Sequence, residues 1–475
     1  MKHFADQAVD RMRRPDFDRW MEQAASAGYC ANPVRLVGST ETFDSLSGEM
    51  LRSYSSRSEP DGITFVRCGN RRATRCPSCS HEYKGDMWHL VVAGATGGSK
   101  GVPDSVGTHP LAFATLTAPS FGAVHTGSKG SHARCHPRES AVVCAHGRRR
   151  SCGANHAPGD PLLGEPLCAD CYDYRAQIVW QWHAPELWRR FTIRLRRALA
   201  QHVGLSEAET RKLVRVQFAK VAEFQRRGAV HFHALIRLDG DPTAQSAFPK
   251  PGIDVSPAVL CELIRAAAKT VEIVADPLPD EAAARVLRWG RQCDARAVIR
   301  GDGIDGTQLT DRAVAAYIAK YATKATEDLD PGIGSGGRRP HLARIRGLVE
   351  RLGHLALHDD ESPYRLLSRW ESMLGFRGHF STKSRRYSVT LGRLRSARRR
   401  WVRQSLNPSD PPAVTDDWSD EADDDSTLVI AAWTFAGMGW LNAGDAALAS
   451  ESAAAAREWR DARAQKRRSH HTNEG

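Results

Sequence analysis

Apolar positions recur at helical intervals at the start of the chain, where Met12, Phe17, Trp20 and Met21 mark a helix over residues 1 to about 26. The periodicity then fades, and residues 27–100 read as loop-rich. Leu111 to Thr117 (LAFATLT) lies between a His-Pro and an Ala-Pro and reads as a short strand. Helical spacing returns from Tyr174 to Val203 through Ile178, Trp182, Leu187, Phe191 and Leu195. Residues 215–225 alternate as a strand, Arg226-Arg227-Gly228 turns the chain, and residues 229–238 return, which predicts a β-hairpin. Helices are expected over 257–288, 311–327 and about 340–373, with a strand near 295–299. Asp330-Pro-Gly-Ile-Gly-Ser-Gly-Gly337 is a linker. The Ala-rich tail from residue 427 onward is expected to be helical. No internal repeat is visible.

At 475 residues and 41% hydrophobic, the chain is long enough for roughly two to four domains with a substantial core. Its net charge of +12 favours a polyanionic partner. That charge is uneven. Residues 375–403 hold ten Lys/Arg and no acid, whereas residues 407–426 hold eight Asp/Glu and no base. The basic stretch interleaves Phe376, Phe380, Tyr387 and Trp401 with its cations, a pattern suited to phosphate contact plus base stacking. Arg377, Lys383, Arg385, Arg386 and Tyr387 are the DNA-binding candidates within it. The N-terminus has no apolar core of a secretory signal. The longest uncharged stretch, 427–444, contains Asn442 and three glycines and reads as a buried helix or helix pair. A soluble, cytoplasmic protein without membrane contact is expected.

Nine of the eleven cysteines lie before residue 172. In a cytoplasmic chain they argue for zinc rather than disulfides. Cys68-x7-Cys76-x2-Cys79 offers three ligands, with Cys30 as the fourth. Cys144-x7-Cys152-x15-Cys168-x2-Cys171 offers four more, with Cys135, His136, His146 and His156 as rivals. One or two structural zinc ions are therefore expected. Residues 122–172 are rich in Gly, Pro, His and Cys and cannot build an apolar core of their own. Cys261 and Cys293 read as small buried hydrophobes.

The predicted hairpin places chemistry at one point. His231 and His233, two apart on a strand, share a face. With Gln225 paired to Ala229, Glu223 falls opposite His231 and Val221 opposite His233, so Glu223, His231 and His233 converge as ligands for a divalent cation. Gln225 is the fallback ligand from the same face, and a register slip of one residue would break the set. Downstream, Tyr317 and Tyr321 sit one helical turn apart, with Lys320 and Lys324 at the same spacing. A phenol with a pKa of about 10 is a poor nucleophile at neutral pH. A bound cation can polarise the phosphoryl group it attacks, and the lysines can neutralise phosphate charge. The combination suits an enzyme that nicks DNA and bonds to the strand it cuts.

These motifs resemble those of HUH-type rolling-circle replication initiators, and most closely those of actinobacterial plasmids and integrative elements. Phe113-Ala-Thr-Leu-Thr117 is similar to their first motif, Val230-His-Phe-His-Ala234 to the His-hydrophobic-His motif, and Tyr317-x-x-Lys-Tyr321-x-x-Lys324 to the third motif in its two-tyrosine form. Glu223 to Gly228, Cys68-Gly-Asn-Arg-Arg and Gly375 to Tyr387 resemble flanking segments of the same group.

The resemblance implies an α+β fold with a ferredoxin-like HUH core, an antiparallel sheet with flanking helices. Zinc-binding insertions and a helical C-terminal region would be added to it. The implied organisation is an N-terminal region with a zinc site (1–100), a nickase domain (105–330) carrying the cysteine-rich insertion at about 127–172, a basic DNA-binding region (338–405), an acidic linker (406–426) and a helical tail (427–475). It also implies Mg²⁺ or Mn²⁺ at the catalytic site, attack by tyrosine at the origin, a 5′-phosphotyrosine and a free 3′-OH. The partners implied are the double-stranded origin, the single-stranded nick region, and a host helicase and polymerase. Consistently, Gly94-Ala-Thr-Gly-Gly-Ser-Lys100 lacks the glycine that a Walker A loop needs before its lysine. A conjugative relaxase or transposase of the same class, or a non-catalytic zinc protein that binds nucleic acid, are the alternatives.

Overall fold

The computed structural model describes residues 3–127, 134–136, 143–299, 310, 313–315, 317–318, 339–406 and 427–473. The chain forms two compact units, residues 1–85 with 417–475, and residues 86–416.

In the first unit the expected N-terminal helix is two helices, α1 (Phe4–Met12) and α2 (Phe17–Ser26). Pro15 divides them, because it lacks an N–H and disfavours helical geometry in the residue before it. Trp20 and Ala24 of α2 are buried with Ile63 and Phe65. Among the described residues a four-stranded antiparallel sheet follows. Its centre is β1 (Val34–Asp44), which pairs with β2 (Met50–Ser55), β3 (Thr64–Val66) and a strand from the far end of the chain, β11 (Thr427–Met438). The segment 27–100 is thus more regular than its weak periodicity implied, and it also contains helix α3 (Pro77–Thr96).

Residues 427–438 are a strand, not the expected helix. Val429, Ile430, Trp433, Thr434 and Phe435 are β-branched or aromatic, and β1 offers the strand a partner over its whole length, from Val34 opposite Met438 to Asp44 opposite Thr427. Only after this strand does the Ala-rich segment become helix α9 (Ala443–Asn473). Asp445 in its first turn forms a buried two-pronged pair with Arg11 of α1, Nε to Oδ1 at 2.9 Å and Nη2 to Oδ2 at 3.0 Å. Arg11 Nη2 also reaches Asp61 Oδ2 at 2.7 Å.

The second unit is built on an antiparallel sheet of five strands among the described residues: β4 (Leu111–Leu116), β5 (Arg215–Phe224), β6 (Val230–Asp239), β9 (Cys293–Ala297) and β10 (Ser381–Lys383). Their order across the sheet is β10-β5-β6-β4-β9. The β5–β6 hairpin has the expected register. Gln225 N donates to Ala229 O at 2.9 Å, and Gly228 takes a left-handed φ of +73° at the turn.

Phe232, Ala234, Ile236 and Leu238 of β6 face the main core, with Ile178, Leu187, Phe191 and Leu195 of helix α4 (Tyr174–Val203). Helix α4 is capped by Asp173, whose carboxylate accepts from Ala176 N, and ends at Gly204 in the left-handed region. A short helix, α5 (Glu207–Leu213), leads into β5. The opposite sheet face carries His231, His233 and Arg237. Arg237, fully buried, is held by Asp239 at 2.7 Å through two nitrogens and by the carbonyl of Gly94 on α3, and Asp239 also pairs with His109 at 2.8 Å. That end of the face is closed by protein.

The helix expected over 257–288 stops early, as α6 (Pro257–Lys269). A small pair, β7 (Ile273–Ala275) and β8 (Arg285–Leu287), follows it, separated by a segment with Pro277 and Pro279. Likewise α7 (Pro340–Ala356) ends before Pro363, and a tight turn over Leu367–Met373 takes over. The basic stretch supplies helix α8 (Leu391–Leu406). The described part of residues 122–172 contains no helix or extended strand, only isolated bridges such as His136 with Cys152. The protein is therefore a mixed α+β protein with antiparallel sheets. No helix among the described residues is long and apolar enough to cross a membrane.

Candidate active site

The hairpin register sets Glu223 opposite His231 and Val221 opposite His233. Glu223 Oε2 then lies 2.8 Å from His231 Nε2 and 3.1 Å from His233 Nε2. Their ligand atoms are mutually within 4.8 Å, a cluster able to hold a metal ion. Burial pushes the Glu223 carboxyl up, but hydrogen bonds from both imidazoles outweigh it and hold the pKa down at about 2. Burial lowers His233 despite its bond to Glu223, favouring the neutral ring that metal ligation needs. Gln225, the fallback ligand, is engaged elsewhere: its side-chain oxygen accepts from Arg227 Nε at 2.9 Å.

Two neighbours on β4 complete the setting of His233. Thr115, paired with His233 across the strands, places Oγ1 3.0 Å from Nδ1, and the Phe113 ring stacks on the imidazole at 5.7 Å. Strand alternation puts Phe113 and Thr115 on one face of β4, a signal already present in the Phe113–Thr117 motif.

Tyr317 reaches the same point from the other side. Its hydroxyl lies 3.4 Å from His233 Nε2, and its ring stands edge-on to His233 and to Phe113. Residues 313–315 and 317–318 are helical, with Val314, Ala315 and Ile318 buried and Tyr317 exposed, so this tyrosine is not the core residue its type would favour. Tyr321, Lys320 and Lys324 lie outside the described residues.

The cysteines gather into three groups. Cys30, Cys68, Cys76 and Cys79 form one, as expected. Their sulfurs are 3.6–3.8 Å apart, and backbone N–H groups of Ala31, Cys68 and Asn70 donate to them. A disulfide would need about 2.05 Å, whereas four thiolates about 2.3 Å from one tetrahedral ion would stand about 3.8 Å apart. In the insertion the grouping differs from the expected four-cysteine set. Cys144, Cys168 and Cys171 are joined by His146, whereas Cys152 belongs with His125, Cys135 and His156. The rival residues His146, Cys135 and His156 are thus part of the arrangement, and Cys152 lies with Cys135 and His156 rather than with Cys144, Cys168 and Cys171. Each group can hold a metal such as zinc.

Beside the hairpin turn a cavity of about 1290 Å³ opens between Gln225–Arg227, Arg288–Gln292 and the insertion residues His125 and His156. Arg227 bridges it, donating to the carbonyls of Pro119 and Ala118 at 2.9 and 3.1 Å.

The C-terminal basic candidates divide. Tyr387 is fully buried, its hydroxyl donating to Val91 O at 3.1 Å, and Phe376 and Phe380 are buried as well, so these rings are core rather than stacking platforms. The Trp401 side chain lies outside the described residues. Lys383 turns inward onto the carbonyl of Ser388 at 2.8 Å, and burial, then the charge of Arg237, lowers its pKa to about 8. Arg377 lays its guanidinium over Trp182 at 4.4 Å. Arg385 and Arg386 are exposed, and they line a cavity of about 560 Å³ with Arg196, Arg211 and Arg215.

The family described as "Replication initiator protein, pSAM2" matches residues 16–454. A replication initiator protein of Streptomyces ambofaciens is 44% identical over 433 residues, which cover 90% of this chain and 87% of the relative. No solved structure matches.

Proposed function

Because the chain belongs to the pSAM2 replication-initiator family, with a role in starting replication, we propose that it acts as an HUH-type nickase for rolling-circle replication. On this reading the five-stranded sheet is a ferredoxin-like HUH core. Glu223, His231 and His233 hold one Mg²⁺ or Mn²⁺, which when bound polarises the scissile phosphoryl group. Tyr317 or Tyr321 attacks the phosphorus. The Oη–P bond forms as the P–O3′ bond breaks, leaving a 5′-phosphotyrosine and a free 3′-OH. Lys320 and Lys324 offset phosphate charge, and the second tyrosine cuts the regenerated origin and allows the displaced strand to be rejoined. Because one phosphoester is exchanged for another, no ATP is consumed. A host helicase would open the duplex and a host polymerase would extend the 3′-OH.

One observation supports this above the others: the Tyr317 hydroxyl lies 3.4 Å from His233 Nε2, at the point where the three candidate ligands converge. Contact with origin DNA away from that point falls to the exposed Arg385 and Arg386 with their arginine neighbours.

The test is to incubate the chain with Mn²⁺ and an origin oligonucleotide, digest it, and identify the adducted peptide by mass. The expected adducts are on Tyr317 or Tyr321. Wild-type nicking by the Tyr317→Phe/Tyr321→Phe double variant would exclude the mechanism.

A further inference from the structure

The described part of the insertion contains no helix or extended strand, and its candidate ligand residues are interleaved along the chain. In chain order they fall into four pairs: His125 with Cys135, Cys144 with His146, Cys152 with His156, and Cys168 with Cys171. The first and third pairs converge on one point, and the second and fourth on another. We propose that residues 125–171 bind two zinc ions in this cross-braced manner. One is a Cys2His2 site at His125, Cys135, Cys152 and His156, and the other a Cys3His site at Cys144, His146, Cys168 and Cys171.

The donor spacings fit tetrahedral zinc. Bonds of about 2.3 Å to sulfur and 2.0 Å to nitrogen place S···N at about 3.5 Å and N···N at about 3.3 Å. In the first group His125 Nδ1 is 3.1 Å from His156 Nε2, Cys135 Sγ is 3.8 Å from His125 Nδ1, and Cys152 Sγ is 3.4 Å from His156 Nε2. In the second group His146 Nδ1 lies 3.3 Å from Cys171 Sγ and 3.8 Å from Cys168 Sγ.

The surroundings are those of ligands. Asp160 Oδ2 accepts from His156 Nδ1 at 2.7 Å, which fixes the ring so that Nε2 faces the group, the carboxylate–histidine–metal arrangement. Cys144 and His146 sit on a tight turn closed by Cys144 N to Arg148 O at 2.9 Å and Gly147 N to Cys144 O at 3.0 Å, with Gly147 left-handed at φ +71°. The bridge between His136 and Cys152 brings the first pair beside the third. Cross-bracing has a structural consequence. Each ion ties together chain segments that flank a ligand pair of the other, so the two sites support one fold. His125 and His156 also wall the cavity next to the catalytic hairpin, which places that wall under control of the first ion.

The experiment is zinc quantification and zinc-edge X-ray absorption on the full chain. A His231→Ala/His233→Ala background keeps the hairpin site from contributing. Three zinc ions per chain are expected, counting the Cys30 group. Nine cysteines and three histidines over the three groups give an average shell of three sulfurs and one nitrogen. Two zinc ions with an all-sulfur shell would mean a single four-cysteine site in the insertion and would overturn the proposal. Added to that background, His156→Ala should lower the zinc content, whereas His156→Cys should keep three ions and raise the sulfur share. An unchanged content in His156→Ala, or loss in both variants alike, overturns the assignment of His156 as a ligand.

Discussion

Tyr317 stands edge-on to His233, at 87° between ring planes and with its hydroxyl 3.4 Å from Nε2. A side chain from a helix and one from the central hairpin are thereby fixed against each other, and the orientation of one imidazole sets both the candidate ligand geometry and the seat of the tyrosine. That imidazole is in turn held by Thr115.

Thr115→Val should therefore weaken metal binding without removing a ligand. The half-saturating Mn²⁺ concentration for nicking is expected to rise by about 10–100-fold, with the rate at saturating Mn²⁺ close to wild type and Thr115→Ser near normal. An unchanged Mn²⁺ requirement in Thr115→Val would show that the hydroxyl does not position His233.

His341 is buried in the second unit. Its ring nitrogens meet Tyr174 Oη at 3.2 Å and the Arg227 carbonyl at 3.0 Å. Burial, together with nearby arginines and against the carbonyl, lowers its pKa to about 4. The unfolded chain, with a pKa of about 6.5, binds the proton first as pH falls. Stability is thus fully present above about pH 6.5 and is lost toward pH 4, by up to about 3 kcal/mol. Urea unfolding between pH 7.5 and 4.5 should show this slope in the wild type and a shallower one in His341→Asn. Parallel slopes would assign the linkage to other groups.

Lys220 points into the core face of β5, with Nζ 4.3 Å from the Phe232 ring centroid, and burial lowers its pKa to about 7. A lysine pKa lowered in the fold costs stability below its unfolded value, and the cost fades as pH rises toward about 10.4. Lys220→Met is expected to stabilise the protein by about 2–4 kcal/mol at pH 7, with a smaller gain at pH 9, as read by thermal unfolding. A variant less stable than wild type at pH 7 would mean that the ammonium is compensated in the core.

Asp445→Ala removes the two-pronged partner of the buried Arg11 guanidinium and leaves it Asp61. The cost to the first unit is expected to be about 2–3 kcal/mol. The Arg11→Met/Asp445→Leu double variant, which removes both charges, should recover most of it. Limited proteolysis within residues 1–85 gives the readout, and equal protection of the Asp445→Ala variant and the wild type would refute the coupling.

The hairpin and its ligand cluster were legible because a two-residue period and a three-residue turn fix register by themselves, so Glu223 opposite His231 needed no tertiary information. Helix α4 was legible for the same local reason. β1 and β11 were not. Each is stabilised by the other across almost the whole chain, and Ala431, Ala432 and Ala436 carry no strand signal of their own. The Cys30 group followed from spacing, whereas Cys152 did not, because alternating ligand pairs produce the same spacings as consecutive ones. Phe376, Phe380 and Tyr387 looked like a nucleic-acid surface because they lie among arginines, yet they face inward while Arg385 and Arg386 face out. Neighbours in sequence share composition, not a side of the fold.

The pairing of β1 with β11 also bears on how the protein is made. β1 leaves the ribosome about 380 residues before its partner. The first unit must wait for β11, whereas the second lies wholly between the two strands and can complete its sheet and helices on the nascent chain. The order of folding therefore reverses the order of the sequence, and a message cut short anywhere before codon 427 yields a protein whose beginning, not only its end, is unfinished.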